Sequence, residues 1–257
     1  MTRRLSRHER LEWITRRLQE ENYASVAEIS AALGVSAVTA RADLERLQQA
    51  GRLIRTHGGA LPAPENAGAL SFAVRQHLRV AAKERIGAAA AASVCDGEAI
   101  ILDASTTALQ VARHLLDKHE LTVLTTGLHT ALELLRSPGI TVLMPGGPVW
   151  HEAAAIVGDW DSRALADGNF QRGFFGGRGL SVAEGLTDAH RPEVELKRRL
   201  LAAVREVNVI LDGSKIGQVA FASFATLDEI DRVYTTADAP ADVVASIRAR
   251  GVEVILA

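Results

Sequence analysis

From residue 99 onward the chain repeats one pattern seven times: a short continuous apolar run that stops in small or polar residues. The runs read AIILD, LTVLTTG, ITVLMPGG, GFFGGRG, VNVILDGSK, RVYTTAD and VEVILA. A strand with one wet face alternates apolar and polar side chains, whereas a strand covered on both faces does not. Helical periodicity fills most of the gaps, at residues 106–118, 128–136, 193–205 and 240–250. Covered strands alternating with helices imply an α/β fold whose sheet is largely parallel.

In open α/β sheets a ligand binds in the crevice beyond the carboxyl ends of the strands. The runs close in Asp103 with Ser105, Thr106 and Thr107; in Thr125 and Thr126; in Gly146 and Gly147; in Gly176 and Gly177; and in Asp212 with Lys215. These residues are expected to converge on one pocket. DASTT leads straight into a helix, so its hydroxyls and the first helical amides suit a phosphate or carboxylate, with Lys215 as the matching cation. Any one loop is equally readable as a turn or a cap; it is their joint occurrence at successive strand ends that favours a pocket.

Residues 1–61 follow a different rule. Ser6 with Glu9, and Ser25 with Glu28, have capping-box spacing. Leu11, Ile14 and Leu18 then share one helix face, and Val26, Ile29 and Leu33 share another. Gly34 suits a left-handed helix end and Ser36 an N-cap, which gives helix, turn, helix. On the third helix Ala40, Leu44 and Leu47 form the inner stripe, while Val38, Ala42 and Gln49 point outward, flanked by Thr39 and Arg41. Gly51 ends that helix, and RLIRTHGGAL offers two short strands around a His-Gly-Gly turn, a β wing.

An α-helix fits the major groove of double-stranded DNA, and its N-terminal residues reach base edges. Ser36, Val38, Thr39, Arg41 and Ala42 are therefore the candidate DNA-facing residues: Thr39 and Arg41 donate, and Val38 and Ala42 suit thymine methyls. Arg55 and His57 on the wing suit phosphate or the minor groove. A helical adaptor with merely solvated arginines remains open for residues 25–60. Residues 1–60 carry ten arginines against seven acidic residues, +3, and the remainder nineteen basic against twenty-four acidic, −5, which directs a polyanion to the N-terminal part. PAPENAGA places a linker at residues 62–70, leaving residues 71–257 for the α/β domain.

Several classes are excluded. A single cysteine, Cys95, allows no disulfide framework or cysteine metal site, and its alanine-rich surroundings predict a small buried side chain. HEAAA lacks the second histidine of a zinc protease helix, no glycine-rich nucleotide fingerprint follows a strand, and no apolar run is long enough for a membrane span. No metal, cofactor or membrane is expected, and the location expected is cytoplasmic.

The segments VSAVTARADL, GRLIRTHGGAL, KERIG, ILDASTT, VLTTG, the PGG turn, GFFGG, GLTDAHRPEVELK and LDGSK occur in one order. In that order, from Arg10 to the C-terminus, the chain resembles the DeoR family of bacterial transcriptional regulators. The resemblance implies a winged helix-turn-helix before a sugar-phosphate-sensing domain similar to ribose-5-phosphate isomerase and coenzyme A transferases, with Glu193 and Lys197 near the effector. The chain departs from the family in Ala42, where a second arginine is usual, in Ser105, where a glycine is usual, and in Thr125-Thr126-Gly127, where Thr-Asn-Ser is usual.

The function expected is a sequence-specific regulator of carbohydrate genes, a repressor, with no catalytic residues. It would bind a double-stranded operator as a homodimer or homotetramer and respond to a phosphorylated sugar. The alternative is a sugar-phosphate isomerase or deaminase with an accessory DNA-binding domain, using Asp103, Glu193 and Lys197 as an acid/base set.

Overall fold

A computed structural model describes residues 5–50, 52–56, 58–62, 71–157, 165 and 167–257. The chain forms two compact units, Met1–Leu78 and Arg79–Ala257.

In the first unit, α1 (Arg7–Glu21) and α2 (Val26–Leu33) both start at complete capping boxes, Ser6 with Glu9 and Ser25 with Glu28. Gly34 ends α2 at φ +62°, and the Ser36 side chain caps α3 (Ala37–Gln49) by accepting from the Thr39 amide. Ile14, Leu18, Ile29, Ala40, Leu44 and Leu47 meet in one core. Strands β2 (Leu53–Arg55) and β3 (Gly59–Pro62) make the wing, and the Gly59 amide bonds back to the Thr56 hydroxyl at 3.1 Å. A third strand, β1 (Ala24–Ser25), pairs with β3 and was not anticipated. Gly59 is needed there, because a Cβ would lie 2.2 Å from the Ala24 carbonyl oxygen.

Residues 63–70 of the expected linker, with Gly51 and His57, lie outside the described residues, and Pro62 is the last residue of β3. A short helix, α4 (Phe72–Arg75), and the chain up to Leu78 group with the first unit, where the His77 and Tyr23 rings stack with centroids 3.8 Å apart.

The second unit opens with α5 (Val80–Ala91), then alternates β4 (Ala99–Leu102), α6 (Thr106–Arg113), β5 (Leu121–Thr125), α7 (Leu128–Leu134) and β6 (Ile140–Leu143). A hairpin of β7 (Val149–Trp150) and β8 (Ala155–Ile156) follows, then β9 (Phe170–Phe175), β10 (Gly179–Ser181), β11 (Gly185–Asp188) and α8 (Arg191–Ala202). The chain closes with β12 (Val204–Ile210), β13 (Ala222–Ala225), β14 (Arg232–Thr235), α9 (Ala241–Ala249) and β15 (Glu253–Leu256).

The seven apolar runs become the seven strands of one sheet, ordered β15-β14-β12-β9-β4-β5-β6 and parallel throughout. Their double coverage is visible residue by residue. Ile100 and Leu102 pack with Ile86, Val111 and Leu134 on one face, while Ile101 joins Val194, Leu200 and Ile247 on the other. A separate antiparallel sheet, β10-β11-β13, was not anticipated, and α6 stops at Arg113, short of the expected residue 118.

Cys95 corrects the sequence reading. Its side chain is exposed, because α5 has already ended and Val94 takes the buried position before β4. Among the described residues no helix is long and apolar enough to cross a membrane.

Candidate functional site

The outward face of α3 is built as its periodicity requires. Val38 is 74% exposed, and Ser36, Arg41 and Ala42 are exposed beside it. Thr39 is half-buried, and its hydroxyl lies 3.0 Å from that of Ser36, a hydrogen bond that either group can donate. Arg55 is exposed at the end of β2.

Sequence reasoning missed what holds α3 in place. Asp43 is 2% exposed, and its carboxylate accepts from Arg10 Nε at 2.7 Å and Nη2 at 3.1 Å. Arg10 had counted towards the cationic surface, but its charge is consumed here. The signal was available: Ala40, Asp43, Leu44 and Leu47 occupy one helical arc, and an acid within a buried arc needs a cation.

In the second unit β4 has β5 on one side and β9 on the other, so the strand order reverses at that point. A crevice opens where two neighbouring loops leave in opposite directions, and here the loops are those after β4 and β9. Asp103 stands at the centre. Its Oδ1 accepts from the Ser105 amide at 2.9 Å and its Oδ2 from the Gly176 amide at 2.8 Å. Ser105 caps α6 through the Ala108 amide at 3.1 Å. Its φ of −76° asks for no glycine, and its side chain fits because Gly176 has none: a Cβ there would lie 2.5 Å from that of Ser105.

Lys197 Nζ, buried under α8, lies 2.8 Å from both the Gly176 carbonyl and Asp188 Oδ2, and 3.2 Å from Asp103 Oδ2. Arg178 Nε is 3.8 Å from Asp188. Asp103, Asp188 and Glu193 thus face Lys197 and Arg178, three negative charges against two positive. The side chains alone do not make this an anion trap; hydroxyl groups match them better.

Burial alone pushes the Asp188 carboxyl up. The Lys197 charge and hydrogen bond, the Ala189 amide and Arg178 more than offset this and hold it at about 2. On Lys197 burial opposes the charge, but Asp188, Asp103 and Glu193 outweigh it and raise the ammonium above its usual value. Because the folded value of Asp188 lies below its unfolded one, its contribution is complete above about pH 4 and is lost as pH falls through about 2. Acid unfolding is expected to remove roughly 2 kcal/mol from this unit over that interval. Asp188→Asn should flatten that part of the stability curve, and an unchanged slope would contradict the assignment.

Other sequence-predicted residues sit as follows. Thr106, Thr107 and Thr126 are buried at the crevice loops, Thr126 with Glu193 lining its wall. Gly177 offers its carbonyl to Lys215 Nζ at 2.8 Å, and Asp212 holds Arg79 Nε at 2.8 Å. Asp212 and Lys215 follow β12, one strand beyond β9, with Lys215 reaching back to the β9 loop, and Gly146 and Gly147 are exposed after β6. Asp188 and Arg178 were missed because β10 and β11 were.

The crevice has room for about 10 Å³, about one water. Beside it a cleft of about 360 Å³ is lined by Val149, Trp150, Val157, His190 and Pro192. A roomier groove of about 620 Å³ lies at the far end of α8, by Arg198, Val204 and Asp231, away from these charges. Among the described residues no group of three or more His, Cys, Asp and Glu is placed to hold a metal ion.

Comparison with known proteins matches residues 10–64 to the DeoR-like helix-turn-helix domain and residues 78–237 to the DeoR C terminal sensor domain. The HTH-type transcriptional regulator GolR of Listeria innocua is 35% identical over 88% of this chain and 89% of its own length. The HTH-type transcriptional repressor GlcR of Bacillus subtilis is 33% identical over 88% and 87%. The glycerol-3-phosphate regulon repressor of Escherichia coli is 27% identical over 88% and 89%. Among solved structures, ribose 5-phosphate isomerase from Plasmodium falciparum covers 52% of each chain at 15% identity and a TM-score of 0.39.

Proposed function

Since the chain belongs to the DeoR family, we propose that it is a repressor of carbohydrate genes that binds a double-stranded operator through α3 and the wing and releases or tightens its hold when its second unit takes up a phosphorylated sugar. The observation that carries this is the exposed face of α3: Val38, Arg41 and Ala42 stand clear of a core that fixes the helix from behind. A helix held in this way presents its N-terminal residues to base edges. Ser36, Thr39, Arg55 and His57 complete the proposed DNA set, His57 by the sequence reading alone. One relative, the glycerol-3-phosphate regulon repressor of Escherichia coli, bears the name of a phosphorylated polyol, which supports the effector class.

In the second unit the proposed effector set centres on Asp103, Ser105, Thr106, Thr107, Thr126, Glu193 and Lys197. The α6 N-terminus serves the phosphate through its amides and dipole, and the carboxylates serve hydroxyls. Lys197 is already bound by two carboxylates and a carbonyl, which favours sensing over proton transfer. A single short helix reads few base pairs, so a homodimer or homotetramer on a symmetric operator is part of the proposal.

Selection of bound duplexes from random DNA, repeated with ribose 5-phosphate or glycerol 3-phosphate present, tests the whole reading. An enriched sequence whose recovery changes with one of these compounds is expected. No enrichment with folded protein would overturn it. Arg41→Ala is expected to weaken operator binding by roughly 1–3 kcal/mol if the guanidinium reaches a base. Equal weakening on random duplex would move Arg41 to a phosphate contact.

A further inference from the structure

Two hollows are lined by neighbouring residues of the same two segments. Ala155 and Ile156 of β8 line the charged crevice, and the next residue, Val157, lines the apolar cleft. Glu193 and Lys197 of α8 border the crevice, while His190 and Pro192, at the start of the same helix, border the cleft. The hairpin is fastened over the strand ends: the Leu128 amide donates to the Ala154 carbonyl and the Ile156 amide to the Thr126 carbonyl, both at 2.9 Å. Trp150 packs against the small cluster that Ala153 and Ala155 of the hairpin form with Ala104 of the DASTT loop.

At the opposite wall His190 meets that indole edge to face, with ring centroids 4.2 Å apart and planes at 64°. His190 is the N-cap of α8, but its side chain makes no cap hydrogen bond, and its Nε2 is buried without a partner. A buried polar atom left unpaired is uncommon and asks for a group that completes it. With about 360 Å³ the cleft falls within the size range of small-molecule sites, which combine apolar and aromatic walls with a few placed polar atoms. The crevice, with room for about one water, does not.

We infer that the Trp150–His190 cleft is the subsite that selects the effector's carbon skeleton. The C–H face of a sugar or polyol lies against the indole, and the His190 ring turns its buried Nε2 outward to pair with one of the hydroxyls, while the phosphate is held at the Asp103–Thr107 loop. This rests on the phosphorylated-sugar reading above and adds what discriminates one such compound from another. A ring face and a hydroxyl find partners here; a bare phosphate finds none.

The test is calorimetry on the full chain with ribose 5-phosphate, glycerol 3-phosphate and inorganic phosphate, for the wild type, Trp150→Ala, Trp150→Phe and His190→Phe. Trp150→Ala is expected to weaken the better-bound organic phosphate at least tenfold while leaving inorganic phosphate unchanged. Trp150→Phe should restore most of that loss, and His190→Phe should weaken binding several-fold, because the ring stays and the nitrogen goes. Should Trp150→Ala not fold, the two phenylalanine variants decide. Wild-type affinity for the organic phosphate in the variants overturns the subsite, as does an equal loss for inorganic phosphate. If the wild type binds none of the three, the phosphorylated-sugar reading itself fails and takes the subsite with it.

Discussion

Lys197→Met is expected to destabilise the second unit by about 3–5 kcal/mol, the range for removing one partner of a buried ion pair. The ammonium sits between Asp103 and Asp188, and it also closes the Gly176 carbonyl. Methionine is one atom shorter but nearly equal in volume, so the loss measures mainly charge and hydrogen bonding and not a cavity. Two carboxylates 1% and 5% exposed at the side chain are then left facing each other without a cation. Asp188 loses the charge and hydrogen bond that hold its carboxyl down, burial then pushes it up, and the sign of the linkage reverses: the variant is least stable near neutral pH and recovers as Asp188 takes up a proton on acidification. Denaturant unfolding at several pH values checks both parts. A midpoint equal to wild type at neutral pH would show that the cluster does not hold the crevice together. Adding Asp188→Asn to Lys197→Met should return part of the loss, because an amide replaces an uncompensated charge.

That prediction could not be made from the sequence, and the reason is physical. An apolar run covered on both faces carries its own signature, so AIILD and VNVILDGSK announced β4 and β12 without help from the rest of the chain. Caps are equally local: Ser6, Ser25 and Ser36 bond to amides three residues away, and each was placed correctly. Asp103 was singled out because it closes a strand, and the structure puts it where the strand order reverses. The partner of Lys197 is a different kind of fact. Asp188 lies on β11, a strand of four residues whose pairing with β10 and the distant β13 depends on tertiary packing. Short antiparallel strands of this sort have too few residues to show a period. Lys215 follows a strand as expected, but its bond to the Gly177 carbonyl, across to the loop after β9, is a tertiary fact that the sequence does not carry. Cys95 misled because apolar neighbours in sequence do not bury a residue that falls beyond the end of its helix.

Asp43→Ala should have its largest effect in the first unit, at about 2–3 kcal/mol for stripping a part-buried guanidinium of its charged hydrogen bonds. The carboxylate takes both hydrogen bonds of one guanidinium edge, and the Arg10 side chain is itself only 14% exposed. Removal strands that cation between α1 and α3, the two helices that the pair ties together. Amide exchange in the full chain reads this locally: protection along α1 and α3 is expected to fall together, while β4 and β9 keep theirs. Replacing both partners by apolar residues, Arg10→Met with Asp43→Leu, should recover much of the protection, because no uncompensated charge remains. Operator binding by Asp43→Ala is expected to fail along with the helix that carries it. Arg41→Ala separates the two causes, since Arg41 is exposed and its loss should weaken binding while leaving exchange in α3 as slow as in the wild type. If Asp43→Ala exchanged as slowly as wild type and still bound the operator, the recognition helix would be held by its apolar stripe alone, and the Arg10–Asp43 pair would be incidental to DNA binding.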